Sequence, residues 1–160
     1  KIDLKSFSKD FYRKLVSGQL EPVLRTLKII KESDTWLEIV YLVIPTHNDN
    51  MEEIKAMCSW IVENLGPDVP IHFTRFHPSY LMKNLPPTPI KTLDNAYQTA
   101  KKVGINYVYI GNVPGHKGSS TFCPECGKKL ISRRGFLVSD ESLKNGQCPE
   151  CSQQIPGVWE

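Results

Sequence analysis

"TWLEIVYLVIP", Thr35 to Pro45, is a nearly unbroken apolar and β-branched run closed by proline. A strand with one wet face shows polar side chains at every second position, and here only Glu38 interrupts the run. The pattern predicts a strand buried on both faces, the kind found in parallel sheets covered by helices. Two shorter runs repeat it, "PIHFTRF" from Pro70 to Phe76 and "INYVYIGNV" from Ile105 to Val113, and the opening "KIDLK" reads as the end of a fourth strand.

Between these runs the period changes to that of helices. In "NMEEIKAMCSWIVENLG", residues Ile54, Met57, Cys58, Ile61, Val62 and Leu65 share one face, with Asn50 or Asp49 as cap and Gly66 as stop. "EPVLRTLKIIKES" places Pro22 near a helix start and stripes Leu20, Val23, Leu24, Leu27 and Ile30. "TPIKTLDNAYQTAKKVG" offers Thr88 as cap, Pro89 in the first turn and Gly104 as stop, and a short helix is expected from Ser8 to Val16.

Strand and helix therefore alternate, which predicts right-handed crossovers and a parallel sheet, either doubly wound or part of a (β/α) barrel. Ligands gather at the carboxyl ends of strands in both architectures. Those ends are Lys5-Ser6, "IPTHND" (Ile44 to Asp49), "RFHPSY" (Arg75 to Tyr80) and "GNVPGH" (Gly111 to His116), and they hold His47, His77 and His116.

The tail is of another kind. Four of the five cysteines fall in it, paired as Cys123/Cys126 and Cys148/Cys151 with 21 residues between the pairs. Two Cys-x-x-Cys knuckles at this spacing match a zinc ribbon, whose four thiolates make a tetrahedron. Proline and a small residue in "CPECG" and "CPECS" suit the tight turns, a redox device needs only one pair, and a reducing cytoplasm disfavours disulfides. A structural Cys₄ zinc site follows, with iron in the same tetrahedron as the rival. Four thiolates leave no open position for a substrate, so the metal staples the fold. "KLISRRGFLVS" reads as a hairpin turning near Arg134-Gly135. Cys58, on an apolar helix face, reads as a small buried hydrophobe.

Composition sets the outer bounds. At 160 residues, 40% hydrophobic and 23% charged, the chain has room for a domain of about a hundred residues and a small appendage that needs a staple. No apolar run approaches the roughly 20 residues of a membrane span, and "KIDLKSFSKDFYRKL" lacks the pattern of a secretory signal, which points to the cytoplasm. The net charge of +3 is small, the tail's Lys and Arg are balanced by Asp and Glu, and neither argues for nucleic acid.

Taken together, "IDLKSF", "FYRKLVSGQLEPVLRTLKIIK", "LVIPTHNDNMEEIKAMCSWIVENLGPDVPIHFTRFHPSYLM", "YVYIGNVPGHKGSSTFCPECGKKLISRRGF" and "CPECSQQIPGVW" resemble the C-terminal portion of the AmmeMemoRadiSam-system radical SAM enzymes, themselves similar to pyruvate formate-lyase activating enzymes. The resemblance covers almost the whole chain. It implies an α/β fold made of the C-terminal half of an incomplete parallel (β/α) TIM-type barrel in residues 1–116, followed by a small Cys₄ zinc ribbon in residues 117–160.

By the same resemblance, a [4Fe–4S] cluster would cleave S-adenosylmethionine (SAM) and the resulting radical would abstract hydrogen from a substrate. Asp3 and Lys5 of "DLK" correspond to a segment facing the SAM methionine moiety, where an ammonium beside a carboxylate suits a zwitterion; His77 of "RFHP" corresponds to a strand-end histidine near the cofactor. Thr46 stands where relatives have glycine. The family's Cys-x₃-Cys-x₂-Cys triplet is absent from these residues, so the chain is expected to be the second half of a longer polypeptide, inactive by itself and prone to self-association along "KIDLK". A protein substrate or a partner protein of the system is implied. The competing reading is a non-catalytic zinc-ribbon interaction module on an α/β scaffold.

Overall fold

The computed structural model describes every residue except Phe136, Asp140, Glu141, Ser142, Lys144 and Glu160. The chain divides into two compact units, Lys1–Val113 and Pro114–Glu160. Among the described residues no helix is long and apolar enough to cross a membrane.

In the first unit four strands, β1 (Ile2–Asp3), β2 (Ile39–Val43), β3 (Ile71–Arg75) and β4 (Val108–Gly111), lie side by side in chain order and all run parallel. Helices fill the connections: α1 (Lys9–Phe11), passing directly into a π-helical turn (Tyr12–Val16), α2 (Leu20–Lys31), α3 (Met51–Leu65) and α4 (Ile90–Val103). The π turn ends at Ser17 in a left-handed conformation, φ 53°.

α3 forms where its caps put it. Asn50 Oδ1 accepts from the N–H groups of Glu52 and Glu53 at 2.8 and 3.2 Å, and Gly66 ends the helix at φ 88°. α4 departs from the expected start. Thr88 does not cap it, because its hydroxyl is spent on the sheet, donating to the Val43 carbonyl at 2.6 Å and accepting from Phe76 N–H at 2.9 Å. The helix opens after Pro89 with no side-chain cap.

One face of the sheet packs against the helices. Ile39, Tyr41, Val43, Ile71, Phe73, Val108 and Ile110 meet Leu27 of α2, Ile54, Met57, Cys58 and Ile61 of α3, and Leu93, Ala96 and Ala100 of α4 in one core. The other face differs from the expectation of strands buried on both sides. Alternate residues Val40 and Leu42 of β2 stay half-buried, as do His72 and Thr74 of β3 and Tyr109 and Gly111 of β4. The register lines Asp3, Val40, His72 and Tyr109 across the sheet in one row, and Leu42, Thr74 and Gly111 in the next. The alternate residues are only half-buried, with Leu42 packed against the Phe11 cluster, so a continuous apolar run in sequence becomes a strand with one fully buried and one partly buried face. A small cluster of Phe11, Ile44 and Phe76, joined by Leu42, Met82 and Leu85, gathers loop and strand-end residues near the carboxyl end of β2 and β3.

The second unit is a three-stranded antiparallel sheet, β5 (Thr121–Phe122), β6 (Lys129–Arg134) and β7 (Leu137–Ser139). β6 and β7 form the expected hairpin, with Gly135 at φ 61° in the turn. Arg133 is tied inward, its guanidinium donating to Thr121 Oγ1 at 2.7 Å.

Candidate functional site

At the carboxyl ends of the parallel strands, the turn after β1 is fixed from three directions. Lys5 N–H donates to the Tyr12 hydroxyl at 3.1 Å, and the Lys5 carbonyl accepts from Asn48 Nδ2 at 2.7 Å. One residue on, Ser6 Oγ and Phe7 N–H both donate to Glu53 Oε1, at 2.5 and 2.9 Å. Asn48 is 1% exposed, and its side chain is fully used: Nδ2 also donates to the Leu42 carbonyl at 2.8 Å, and Oδ1 accepts from Ile44 N–H at 2.6 Å. It stitches the end of β1 to the end of β2. The Tyr12 phenol is pushed up, chiefly by burial, against the opposing effect of the Lys5 N–H.

With its backbone held, Lys5 keeps its side chain partly exposed. Its ammonium stands 3.2 Å from the Asp3 carboxylate, and the two side chains are 42% and 56% exposed. Asp3 occupies the row of the partly buried face that also contains His72 and Tyr109. His77 lies two residues past the end of β3 and is exposed, and among the described residues it makes no hydrogen bond or ion pair with Asp3 or Lys5. The structure thus brings two of the three sequence-predicted residues of this edge together.

Backbone strain marks the same edge. Of the four non-glycine residues of the first unit described with positive φ, three lie in loops that follow a strand, Thr46 at 66° after β2, Tyr80 at 48° after β3 and Asn112 at 59° after β4, while Ser17 ends the π-helical turn. Left-handed backbone at side-chain-bearing residues costs about 1–3 kcal/mol each, and such residues concentrate where a loop is shaped for a task. Thr46, in the position expected of glycine, keeps the left-handed conformation with its N–H bound to Asp49 Oδ1 at 2.9 Å.

A second polar group sits on the partly buried face, further toward the amino ends of the strands. The Glu38 carboxylate takes His72 Nε2 at 3.1 Å and Trp36 Nε1 at 3.1 Å, with the Lys1 ammonium at 3.7 Å. The His72 bond, outweighing burial, and the Trp36 N–H hold its pKa down at about 2. The His72 ring stacks on Tyr109 at 4.9 Å. Sequence reasoning missed Asn48, Glu53 and the Glu38–His72 pair. Only the polar side chains interrupting apolar runs, Glu38 and His72, gave a signal.

In the second unit the four sequence-predicted cysteines converge. Their sulfurs all lie within 4.8 Å of one another, with Cys123–Cys151 and Cys126–Cys148 each at 3.6 Å. Sulfurs at about 2.3 Å from a tetrahedral ion stand about 3.8 Å apart, so the donor set fits one mononuclear ion; a four-iron cluster spreads its thiolates over separate irons and needs them further apart. Two matching turns build the site: Gly127 N–H bonds the Cys123 carbonyl at 3.0 Å and Ser152 N–H the Cys148 carbonyl at 2.9 Å. Gly127 and Ser152, each just past the second cysteine of its pair, are left-handed at φ 73° and 62°. Lys128 and Glu150 join the two turns at 2.7 Å.

The clustered thiols perturb one another's ionisation. Burial opposes ionisation of Cys148, but the N–H groups of Cys151 and Glu150 and the thiols around it hold its pKa at about 7. At Cys151 the Gln153 N–H is outweighed by burial and the neighbouring thiols, which push it up to about 12. Cys58 is buried in the helix core, with its thiol pushed up to about 12 by burial, an inert hydrophobe as expected.

Comparison with known proteins gives a fold. The first finding is a domain of a pyruvate-formate lyase-activating enzyme from Bacteroides vulgatus, which matches with a TM-score of 0.60 over 69% of this chain and 65% of that one, at 19% identity. The two folds are similar. An uncharacterized protein of Methanocaldococcus jannaschii is 42% identical over 156 residues, which is 96% of this chain and 46% of the relative. The chain thus spans about half the length of the curated relative it matches. No known family profile matches it.

Proposed function

We propose that this chain is the carboxyl-terminal part of a radical SAM oxidoreductase of the AmmeMemoRadiSam-system kind, related to the activating enzymes whose fold it shares. The observation that carries the reading is the Asp3–Lys5 pair, held at the carboxyl end of β1 on the partly buried face of an all-parallel sheet. In a (β/α) barrel the strands run parallel, the helices form an outer ring and the inner face of the sheet lines the interior. In this reading residues 1–116 are half of that barrel and residues 117–160 are an appended ribbon.

Lys5 would meet the carboxylate of the SAM methionine moiety and Asp3 its ammonium, while Asn48, Tyr12 and Glu53 keep the turn in place. His77 would approach the cofactor from the end of β3. A [4Fe–4S] cluster supplies reductive cleavage of SAM and hydrogen abstraction from a substrate. These 160 residues contain no Cys-x₃-Cys-x₂-Cys run, so they do not hold that cluster. Cys123, Cys126, Cys148 and Cys151 would hold a structural zinc ion that takes no part in the chemistry. The thiols are all free, in keeping with a cytoplasmic setting, and a protein substrate or partner belongs to the same reading.

The test uses the polypeptide at its full genomic length, reconstituted anaerobically with iron and sulfide. Under reduction it should convert SAM to 5′-deoxyadenosine, and Lys5→Ala should weaken SAM binding at least about tenfold, the loss of one charge-assisted hydrogen bond, with no fall in melting temperature. Failure to bind SAM in the reconstituted, folded protein would favour a non-catalytic zinc-ribbon interaction module.

A further inference from the structure

Tyr80 and Leu81, in the loop between β3 and α4, are the most exposed large apolar side chains among the described residues, at 81% and 80%. They do not hang on a slack loop. Met82 and Leu85 pack into the cluster of Phe11, Ile44 and Phe76, and the Thr88 hydroxyl clamps the far end of the loop to β2 and β3. Inside the loop, Met82 N–H bonds the Ser79 carbonyl at 2.9 Å and closes a 3₁₀ turn (Tyr80–Met82). Tyr80 sits in that turn at φ 48°, a conformation disfavoured for a bulky side chain. The fold therefore keeps strained backbone and uncovered apolar area together on a rigid base. Rigid presentation of a Tyr and a Leu lowers the ordering cost of association, which is how contact hot spots are built.

Charge indicates what would cover them. From Val69 to Leu93 the sequence has no Asp or Glu, whereas Arg75, Lys83 and Lys91 are basic. Lys83 and Lys91 are exposed and form no ion pair among the described residues. We infer that this loop is a docking knob for a second protein whose surface offers an apolar socket rimmed by carboxylates. Two apolar side chains on an irregular turn suit a socket better than a lipid surface, which amphipathic helices engage with a longer apolar stripe. The inference holds whether or not the carboxyl edge carries radical chemistry.

The experiment places a photo-crosslinking phenylalanine analogue at Leu81 of the full-length protein, and as a control at Ile29, which is 59% exposed on α2. Both are irradiated in extract of the source organism, and adducts are mapped by mass spectrometry. One protein should crosslink at position 81 and not at 29, through a segment of net negative charge. With that protein purified, Tyr80→Ala and Leu81→Ala should each weaken binding at least about 30-fold, the effect of a hot-spot residue. Lys83→Glu should weaken it further as salt is lowered, and the melting temperatures should not change. Adducts only with another copy of this chain or with its own segments would overturn the inference, as would a neutral or basic partner segment, or no adduct above the control. Sedimentation with anionic vesicles in the absence of any protein adduct would overturn it too.

Discussion

Replacing Asn48 by alanine removes the side chain that joins the ends of β1 and β2. Ile44 N–H and the carbonyls of Lys5 and Leu42 lose their partner together, in a place where the asparagine itself is 1% exposed. An orphaned buried polar group costs about 1–3 kcal/mol, and a water entering the vacated space offsets part of that, so the net loss should be about 2–4 kcal/mol. For a unit of this size that is about 10–25 °C in melting temperature. Urea unfolding followed by the helical circular dichroism of the first unit should show a lower midpoint with an unchanged slope. Asn48→Asp sharpens the test. Its second carboxylate oxygen would face the two carbonyls that Nδ2 now serves, so the variant should be at least as unstable as Asn48→Ala at pH 7. Because its folded-state pKa would be raised, it should regain stability as the pH falls toward 5. A loss under about 1 kcal/mol for alanine, or an aspartate variant as stable as the native chain, would refute this account of the strand ends.

Glu38 is held near pKa 2 against an ordinary 4.5, so its contribution is present above pH 4.5 and is lost as the pH falls toward 2; Glu38→Gln should cost about 1–2 kcal/mol at pH 6 and little at pH 2, read from the pH dependence of urea midpoints. Elemental analysis should find about one zinc per chain, and because binding displaces thiol protons its affinity should rise with pH. Cys148→Ala or a strong chelator should abolish ordered amide signals in the ribbon, while the helices of the first unit melt as before; a metal-free ribbon with full order contradicts this. A Cβ at Gly111 would meet Thr74 Cγ2 at 2.9 Å, so Gly111→Ala should destabilise by about 1–2 kcal/mol and Thr74→Ser in the same chain should recover most of it.

The parts of the molecule legible in sequence are those whose causes are local. α3 announces itself through Asn50, Gly66 and a helical stripe, and the ribbon through two knuckles whose turn chemistry lies within five residues. The edges of β2 were not legible. Thr35 to Glu38 belong to the apolar run, yet the strand begins at Ile39, because pairing with Ile2 and Ile71 starts there. Nor could the run show that one face is fully buried and the other only partly, since that depends on which elements pack against each. Thr88 was misread as a cap because its real partner, the Val43 carbonyl, is 45 residues away. Asn48 escaped notice for the same reason, its bond to Lys5 spanning 43 residues. Asp3 and Lys5, two residues apart at the end of β1, were pointed to by the family resemblance and not by any local pattern.

The cysteine tetrad is half open: Cys123 and Cys148 are buried, whereas Cys126 and Cys151 are exposed. A metal ion held there has two faces with different kinetics. An incoming thiolate or chelating carboxylate can reach the ion from the side of Cys126 and Cys151 and displace them in turn, while the buried pair keeps its grip until the last step. Loss of the ion would then proceed by ligand exchange at a rate set by the concentration of the competitor, without waiting for the ribbon to unfold. Alkylating reagents should mark Cys126 and Cys151 before the other two. A centre that is thermodynamically tight can in this way be kinetically labile, able to hand its ion to a competitor's thiols by exchange, the ribbon losing its order only once the ion has left.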